Sequence, residues 1–345
     1  MKKVQRAAIW LRRAWLYGIG SSLKLIYLKT AKKTADYARC LQRIRERLWR
    51  QEKAKKDLEL IFQLHTGRKE LDWENPLTFC EKMQWMKLHD VTPIKTLMAD
   101  KYRAKEWIDN KLGRPYAVPL LGVWDSFDDI DFDALPEQFA LKVNGGCRWN
   151  MIVRDKSKLD RTAAKELFEK WLKLDLGFVL PYEFHHFQIK PVILAEKCLP
   201  PFLNGSNEYK FMCFGGRVEA IYVFERAEIG GKPEVTTTLY SRGWDKLDWQ
   251  IDTDCPTNPV KAPRPETLDE MIRVAEKLSE DVAFVRVDLY DVDGIVYVGE
   301  LTLIPGGGVS HFTSYAHDLA LGEKLMLPDP SPLPEALVQK YHVKY

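Results

Sequence analysis

Apolar residues recur with two different spacings along this chain, and each spacing predicts its own kind of element. A period of three to four residues predicts helices in 31–66, 75–90, 93–113, 162–174 and 266–280, and alternation or short apolar runs predict strands in 139–153, 191–200, 208–224 and 284–303. Residues 226–264 have neither pattern and are expected to be irregular. Helices and hairpin-connected strands in one chain predict the α+β fold class.

The last strand pair, FVRVDLYDVDGIVYVGELTLIPGGG at residues 284–308, combines an apolar alternation with charged residues. Because side chains alternate along a strand, Arg286 and Asp288 share one face. A three-residue turn, Val292-Asp293-Gly294, is predicted because it sets Asp288 diagonal to Glu300. A two-residue turn would instead set Asp288 opposite Gly299 and leave Glu300 on the other face. The pattern therefore predicts two carboxylates on one face of this hairpin.

The charged face of this hairpin is interpreted as part of a magnesium–nucleotide site. Two neighbouring carboxylates repel each other unless a cation lies between them, and hard oxygen ligands suit Mg²⁺. Arg286 on the same face adds a charge suited to phosphate, and the glycines at 306–308 would let backbone N–H groups approach an anion. An exposed strand face with an Arg–Asp pair is the alternative that the residues alone leave open.

A second charged group lies in FALKVNGGCRWNMIV, residues 139–153. Lys142 is inside an apolar strand, where an unpaired ammonium would be costly, and a glycine pair follows as a flexible flap suited to phosphates. A lysine at a strand edge next to an ordinary hairpin turn is the alternative. Further along, Glu208 and Lys210 alternate on one strand and so share a face.

Composition and length fit a folded protein of one or two domains. The chain has 345 residues, of which 46% are hydrophobic and 29% charged, so disorder is not expected. The six cysteines form no C-x-x-C pair and are interpreted as free thiols in a reducing compartment. His185 and His186 are expected to point apart on a strand and to have a local structural role.

The net charge of +3 is distributed unevenly, because residues 1–57 carry seventeen Lys and Arg against four Asp and Glu. This arm has no signal-peptide pattern and no apolar run long enough to span a membrane. Trp10, Leu11, Trp15 and Leu16 beside these cations are typical of an interfacial helix on an anionic membrane. A solvated or partner-packed helix is equally compatible with the pattern, and nucleic acid is not expected because no nucleic-acid-binding module is recognisable.

Several blocks of the sequence, taken in order, resemble the TupA-like ATP-grasp proteins of teichuronopeptide and surface-polysaccharide biosynthesis. The blocks are NPLTFCEKMQWMKLHD, DKYRAKEWI, VPLLGVWDSFDDIDFDALPEQFALKVN, ILAEKCL, EYKFMCFGGRV and FVRVDLYDVDGIVYVGELTLIPGGG, and they cover roughly residues 66–327. The resemblance implies an ATP-grasp fold, in which two α+β lobes clasp ATP, preceded here by a basic helical extension. The predicted division is 1–65 for the extension, 66–135 for a helical and small α/β region, 136–327 for the ATP-grasp lobes and 328–345 for a C-terminal tail.

The resemblance also implies which residues contact ATP. The implied ATP-binding residues are Lys142, Asn144, Gly145, Gly146, Glu196, Lys197, Glu208, Lys210 and Arg286. Lys142 would contact the α- and β-phosphates under the glycine flap, Glu196 and the backbone beside Lys197 would hold the adenine, and Glu208 would meet the ribose. Lys210 and Arg286 are the implied catalytic residues: Lys210 would face the phosphates or an acyl phosphate, and Arg286 would stabilise the transferring phosphoryl group.

A second set of implied residues binds metal and acceptor. Asp288, Glu300 and Thr302 would bind Mg²⁺, with Thr302 standing where the wider superfamily usually has Asn. The acceptor acid and the amine would lie beside the irregular stretch 226–264 and four residues of the glycine loop: Gly306, Gly307, Gly308 and Ser310. The cofactors implied by the resemblance are therefore ATP and Mg²⁺.

The function implied by the resemblance is an ATP-dependent carboxylate–amine ligase that works through an acyl phosphate in capsule or teichuronopeptide-like polysaccharide biosynthesis. Its partners would be a carboxylate-bearing glycan or precursor, such as a uronic acid, and an amino acid or amine. Consistent with this, the chain has neither a G-x-S-x-G nucleophile motif nor a Walker P-loop. Two alternatives are an ATP-dependent phosphotransferase or other sugar-modifying enzyme, and a non-catalytic membrane-associated assembly component. The expected location is the cytoplasm, at the inner face of the membrane if the basic arm binds lipid.

Overall fold

A computed structural model of the chain describes residues 11–30, 34–50, 52–68, 70–199, 207–229, 232–251 and 255–341. Over these residues it consists of helices and two antiparallel sheets, which confirms the α+β class. Among the described residues, no helix is both long enough and apolar enough to span a membrane.

The helices follow the predicted segments closely, with two predicted helices each divided into two. They are α1 Ile19–Thr30, α2 Thr34–Arg50, α3 Ala54–Thr66, α4 Phe79–His89, α5 Pro93–Ala99, α6 Arg103–Leu112, α7 Arg161–Leu172, α8 Leu176–Val179, α9 Leu268–Ser279, α10 Tyr315–Lys324 and α11 Glu335–Tyr341, and residues 11–17 are also helical. The predicted helix 93–113 is interrupted at Asp100, whose carboxylate accepts the N–H of Tyr102 at 3.0 Å and so begins a new helix. The start predicted near residue 75 is replaced by a capping box between Thr78 and Glu81.

The strands form one sheet of four and one sheet of five, in which every pair is antiparallel. They are β1 Leu120–Trp124, β2 Phe139–Val143, β3 Asn150–Val153, β4 Ile193–Lys197, β5 Glu208–Phe214, β6 Arg217–Ile229, β7 Lys232–Tyr240, β8 Phe284–Val292 and β9 Ile295–Thr302. The order is β1-β4-β2-β3 in the smaller sheet and β7-β6-β5-β8-β9 in the larger. The predicted division of the chain at residues 65, 135 and 327 stays a prediction.

The prediction of irregular structure at 226–264 is wrong in its first part, because β6 continues to Ile229 and β7 pairs with it. The sequence of β7 is KPEVTTTLY, and its three consecutive threonines are fully buried. Because threonine is polar, this strand lacks the apolar alternation by which strands were predicted. One of them, Thr238, donates to the carboxylate of Glu225 on β6 at 3.2 Å, which satisfies its hydroxyl inside the sheet. β-branched residues favour strands even where they are polar.

The two faces of the larger sheet have opposite chemistry. The helix α9 carries apolar residues at spacings of three and four, including Leu268, Met271, Ala275 and Leu278, and these are buried in the same core as the apolar side chains of β5 and β8. Because side chains alternate along a strand, the charged residues of β5 and β8 lie on the other face. The fold therefore leaves a polar sheet face that is not covered by α9.

The basic N-terminal helices pack against the body through a buried polar cluster. Asp57 of α3 is fully buried, 3.4 Å from the guanidinium of Arg45 on α2, and accepts hydrogen bonds from Tyr17 and Tyr182. Leu16 is also buried, so the prediction that it faces a membrane is wrong; Trp10 lies outside the described residues.

Candidate functional site

The hairpin of β8 and β9 places its two carboxylates opposite each other by a route different from the predicted one. The turn has two residues, Asp293 and Gly294, both with positive φ, so the predicted three-residue turn is wrong. A β-bulge next to Gly299 then shifts the register, and Asp288 becomes the direct partner of Glu300. A Cβ at Gly299 would lie 2.4 Å from the ring of Tyr290, so the bulge requires glycine there. The convergence of the two carboxylates is confirmed.

Asp288 is the centre of a buried ion cluster on the polar face of the larger sheet. It is fully buried, and Arg286 approaches both of its oxygens at 2.6 Å. Lys210, its cross-strand partner on β5, donates to Asp288 at 2.8 Å and lies 2.9 Å from Glu208. Burial opposes the charge on Lys210, but the pKa of this lysine is nevertheless raised because the carboxylates of Asp288 and Glu208 outweigh burial. Glu208 also accepts a hydrogen bond from Tyr290 at 3.1 Å.

Glu300 is the carboxylate of this cluster that reaches solvent, with 37% of its side chain exposed. Burial acts to raise its pKa, but the cations of Lys101, Arg286 and Lys210 lower it to about 2, so Glu300 is an anion at neutral pH. The hydroxyl of Thr302 lies 3.3 Å from Glu300 and 3.0 Å from Arg286. Glu300 and Thr302 thus offer oxygen donors to the cavity, the type of donor that suits Mg²⁺, whereas both oxygens of the neighbouring Asp288 are already contacted by Arg286.

The smaller sheet forms the facing wall of a cavity of about 770 Å³. Lys142 on β2 lines this cavity and pairs with Glu196 on β4 at 2.5 Å, while Lys105 of α6 approaches the other oxygen of Glu196 at 2.6 Å. Burial acts to raise the pKa of Glu196, but these two lysines outweigh it and lower the pKa. Lys101 joins the two walls, because its ammonium lies 3.4 Å from Glu300 and donates to the carbonyl of Gly146 at 2.9 Å.

The loop that was predicted to be a flap lines this cavity from Gly145 to Trp149. A Cβ at Gly146 would lie 2.5 Å from the Cβ of Trp149, so the packing of this loop requires glycine there, whereas a Cβ at Gly145 would lie 2.7 Å from a terminal methyl of Leu176, which can move. Asn144 is buried beneath the loop, where its amide bonds to Asp100, Lys190 and Val192. Its side chain therefore holds the loop in place and does not line the large cavity.

The glycine loop after β9 forms another part of the wall. Gly306 and Gly307 are left-handed, at φ +59° and +65°, conformations that L side chains rarely adopt. On α4, Lys87 donates a hydrogen bond to the carbonyl of Gly307 at 2.7 Å. Gln84 donates to the same carbonyl at 3.3 Å and to the carbonyl of Gly308 at 2.7 Å. Their bonds fix the loop to α4.

Most of the predicted site residues are brought together around this one cavity. Its wall includes Lys142, Gly145, Gly146, Glu208, Lys210, Arg286, Glu300, Thr302, Gly306, Gly307 and Ser310. Four others are buried outside the cavity wall, namely Asn144, Glu196, Asp288 and Gly308, and Lys197 is exposed elsewhere. Asp288 and Glu196 nevertheless bind wall residues directly, through Lys210 and Lys142.

Sequence reasoning missed Lys101 and Lys105, which contact Glu300 and Glu196. No local pattern pointed to them, because Lys101 lies in the turn before α6 and Lys105 in its first turn, and both contacts are made across the fold. The histidine pair was also misjudged: residues 184–186 form a 3₁₀ turn, not a strand, and the rings of His185 and His186 lie 4.4 Å apart between their centroids. Together with Glu183 they line the same cavity.

The sequence of this chain is similar to that of a known protein family. The sequence model of the TupA-like ATP-grasp family matches residues 81–326. No curated protein matches the chain.

Similar solved structures include three ligases or synthetases. D-alanine–D-alanine ligase from Bacillus anthracis is 18% identical, with 62% of this chain and 59% of that chain covered and a TM-score of 0.38. D-alanine–D-alanine ligase from Helicobacter pylori is 15% identical, with 68% of this chain and 60% of that chain covered and a TM-score of 0.36. The D-cycloserine synthetase DcsG is 14% identical, with 68% of this chain and 72% of that chain covered and a TM-score of 0.37. The chain spans about three fifths of the length of the two D-alanine–D-alanine ligases.

Proposed function

The chain belongs to the TupA-like ATP-grasp family, whose sequence model matches residues 81–326, and we propose that it is an ATP-dependent carboxylate–amine ligase of cell-surface polysaccharide biosynthesis. ATP-grasp enzymes are ATP-dependent ligases that use Mg²⁺. The acceptor is a uronic acid in a glycan or its precursor, and the second substrate is an amino acid or another amine.

One observation carries this proposal: carboxylates and cations converge on a single cavity between the two sheets. Asp288 and Glu300 are cross-strand partners, Arg286 lies within 3.4 Å of both, and Lys142 lines the facing wall of the same cavity. Such a site can bind a metal-chelated polyphosphate, because it offers oxygen ligands and cations within one enclosed space.

In the proposed nucleotide site, Lys142 and Lys210 contact phosphate oxygens, and Glu208 contacts the ribose hydroxyls. Gly145 and Gly146, in the loop that begins at Asn144, close over the phosphates. Glu196 acts near the adenine by holding Lys142 and Lys105 in place, and the backbone beside Lys197 contacts the adenine edge. Asp288, Glu300 and Thr302 hold Mg²⁺, which when bound neutralises charge on the phosphates.

The proposed reaction converts a carboxylate, whose oxygen is a poor leaving group, into an acyl phosphate, from which phosphate leaves readily. An acceptor carboxylate oxygen attacks the γ-phosphorus of ATP, ADP leaves, and an acyl phosphate forms; the amine nitrogen then attacks the acyl carbon, phosphate leaves and the ammonium proton is lost to solvent. Arg286, held by both oxygens of Asp288, stabilises the transferring phosphoryl group. Gly306, Gly307, Gly308 and Ser310 provide the surface on which the acceptor lies.

The test is nucleotide turnover by the purified protein with Mg²⁺, uronic-acid glycans and a pool of amino acids. We expect ADP and phosphate only when both an acid and an amine are present, together with a product in which an amide has formed. ADP with a phosphorylated sugar would replace this proposal with a phosphotransferase. Absence of nucleotide binding would favour a non-catalytic assembly component.

The N-terminal helices suggest where the reaction occurs. Six large apolar side chains within residues 11–27 are between 45% and 71% exposed: Leu11, Trp15, Ile19, Leu23, Ile26 and Tyr27. Exposed cations, including Arg12, Lys24 and Lys29, lie among them. An exposed apolar surface with basic neighbours fits an anionic membrane surface, and we propose that the protein is cytoplasmic and binds there through this surface.

Membrane binding can be measured by liposome sedimentation. We expect association with vesicles that contain anionic lipid, weakened by salt, and lost when Trp15→Glu and Ile19→Glu are combined. A matched control is Val260→Glu, which changes another exposed apolar residue far along the chain. Equal binding to neutral vesicles, or no binding at all, would contradict the proposal.

A further inference from the structure

Three buried polar side chains outside the carboxylate cluster face one another on the wall of the large cavity. Glu183 precedes the 3₁₀ turn of residues 184–186, and His185 and His186 belong to it. Their side chains are only 4% to 11% exposed. The turn brings both rings to the same side, with the Nε2 atoms 3.9 and 3.8 Å from one oxygen of Glu183.

None of these three side chains makes a hydrogen bond within the part of the chain that the structure describes. The distances of 3.8 and 3.9 Å are too long for a hydrogen bond. Nδ1 of His186 is buried and has no partner among the described residues. The other polar atoms of the three side chains are not fully shielded and reach the cavity, where a bound group could satisfy them.

The spacing fits one metal ion between the three side chains. Ligand atoms from these residues lie within 4.8 Å of one another. Two ligands about 2.1 Å from the same tetrahedral ion lie about 3.4 Å apart, so side-chain rotations that bring the widest pair closer by at most about 1.4 Å close the set. We propose that Glu183, His185 and His186 form a binding site for a divalent transition-metal ion of the zinc class, distinct from the oxygen-donor site of Asp288, Glu300 and Thr302.

The donor types separate this site from the magnesium site. Two imidazole nitrogens and one carboxylate oxygen suit Zn²⁺, Co²⁺ or Ni²⁺, whereas Mg²⁺ prefers oxygen donors alone. Three protein ligands leave coordination positions open to the cavity. Burial also keeps both imidazoles in the neutral, ligating form: it lowers the pKa of His186 to about 3 and that of His185 well below its ordinary value.

Titration of the nucleotide-free protein with Zn²⁺ tests the proposal, with Mg²⁺ present in excess and a chromophoric chelator as competitor. We expect one tight equivalent of Zn²⁺ per chain, and a visible Co²⁺ absorption band when Co²⁺ replaces it. Combining His185→Ala with His186→Ala should lower Zn²⁺ affinity by more than about 100-fold. Loss of a residue that only hydrogen-bonds to a metal ligand already lowers metal affinity by about 10- to 100-fold, and these variants remove two ligands themselves. Binding does not require turnover, so this experiment is independent of the ligase assay.

The chain offers a matched control in its other close histidine pair. His65 and His311 have ring centroids 6.1 Å apart, and their combined alanine variant should bind Zn²⁺ like the unmodified protein. Glu183→Gln, which preserves shape, should weaken binding even if the histidine variant fails to fold. The proposal is overturned if the unmodified protein binds no Zn²⁺ in excess Mg²⁺. It is equally overturned if a folded His185/His186 variant, or Glu183→Gln, retains the original affinity, for instance through cysteine thiols.

Discussion

Two fully buried aspartates, Asp288 and Asp57, each lie beside an arginine but serve different regions of the molecule. Asp288 holds Arg286 through both carboxylate oxygens and binds a lysine that lines the large cavity. Asp57 contacts Arg45 and accepts bonds from two buried tyrosines, in the packed region where the N-terminal helices meet the body. The local chemistry is similar, but the first cluster contributes residues to the wall of the large cavity and the second does not.

The comparison teaches that a buried ion pair does not by itself identify a functional site. The Asp57 cluster is enclosed by its own partners: Arg45 also donates to the carbonyl of Phe178 at 3.1 Å, which ties α2 to α8, although Nε of Arg45 makes no hydrogen bond among the described residues. The Asp288 cluster continues into Glu300, a carboxylate with a strongly lowered pKa and one edge in solvent. A buried ion pair that is enclosed by packed side chains indicates a structural role, whereas a buried ion pair beside an open, charged cavity indicates a functional site.

The largest expected effect comes from Glu300→Gln, which removes a proposed metal ligand at the cavity. We expect ATP turnover to fall by about 1,000-fold or more, since loss of transition-state charge stabilisation of about 4 kcal/mol has that effect. The melting temperature should change little, because the side chain is 37% exposed. Asp288→Asn should also abolish turnover but leaves Arg286 and Lys210 less compensated, so it tests function less cleanly. Retained turnover in both variants would contradict the metal assignment.

Asp57→Asn should produce the opposite result. Removing one partner of a buried pair leaves Arg45 uncompensated and should lower the free energy of unfolding by about 3 kcal/mol. The KM for ATP of the folded fraction should not change, because Asp57 does not line the cavity. Chemical denaturation and steady-state kinetics measure the two quantities. Loss of turnover without loss of stability would reverse the roles assigned to the two clusters.

Asp175 provides a pH test in the packed region, because it is a largely buried acid with weaker compensation. Burial raises its pKa to about 6 even though Lys340 lies 3.6 Å away. Between about pH 4 and 6 the unfolded chain loses this proton while the folded chain keeps it, so stability falls as pH rises through this window, by about 3 kcal/mol. Asp175→Asn should remove that slope and be more stable than the unmodified protein at pH 7, but not at pH 4. An unchanged slope in urea denaturation across these pH values would refute the assignment.

The smallest effect is expected for Lys101→Met, which breaks the bridge between Glu300 and the carbonyl of Gly146. The loop at Gly145 and Gly146, which we propose closes over the phosphates, then loses one anchor, and the KM for ATP should rise by about 10-fold, corresponding to about 1.4 kcal/mol. Arg103→Met is the matched control, since Arg103 is exposed on the same segment. Identical KM values for the two variants would show that Lys101 does not position the loop.

Much of the site could be predicted from local patterns. Alternation along β8 predicted that Arg286 and Asp288 share one face. Alternation along β5 predicted the same for Glu208 and Lys210, and in the structure the Lys210 ammonium lies 2.9 Å from the Glu208 carboxylate. The convergence with Glu300 was predicted for the wrong reason, because a two-residue turn and a bulge produced it. A bulge depends on close packing, here between Gly299 and the ring of Tyr290, and cannot be located from alternation alone.

The sequence by itself determined most of the element types, the α+β class and the set of oxygen and cationic side chains, because periodicity and side-chain alternation are local properties. Only the tertiary structure decided which of those charges meet. It brought Lys105 to Glu196 and Lys101 to Glu300, buried Asp57 among tyrosines, and turned His185 and His186 toward Glu183. Such contacts depend on how distant elements pack, and burial then sets the pKa of each group, which no local pattern records.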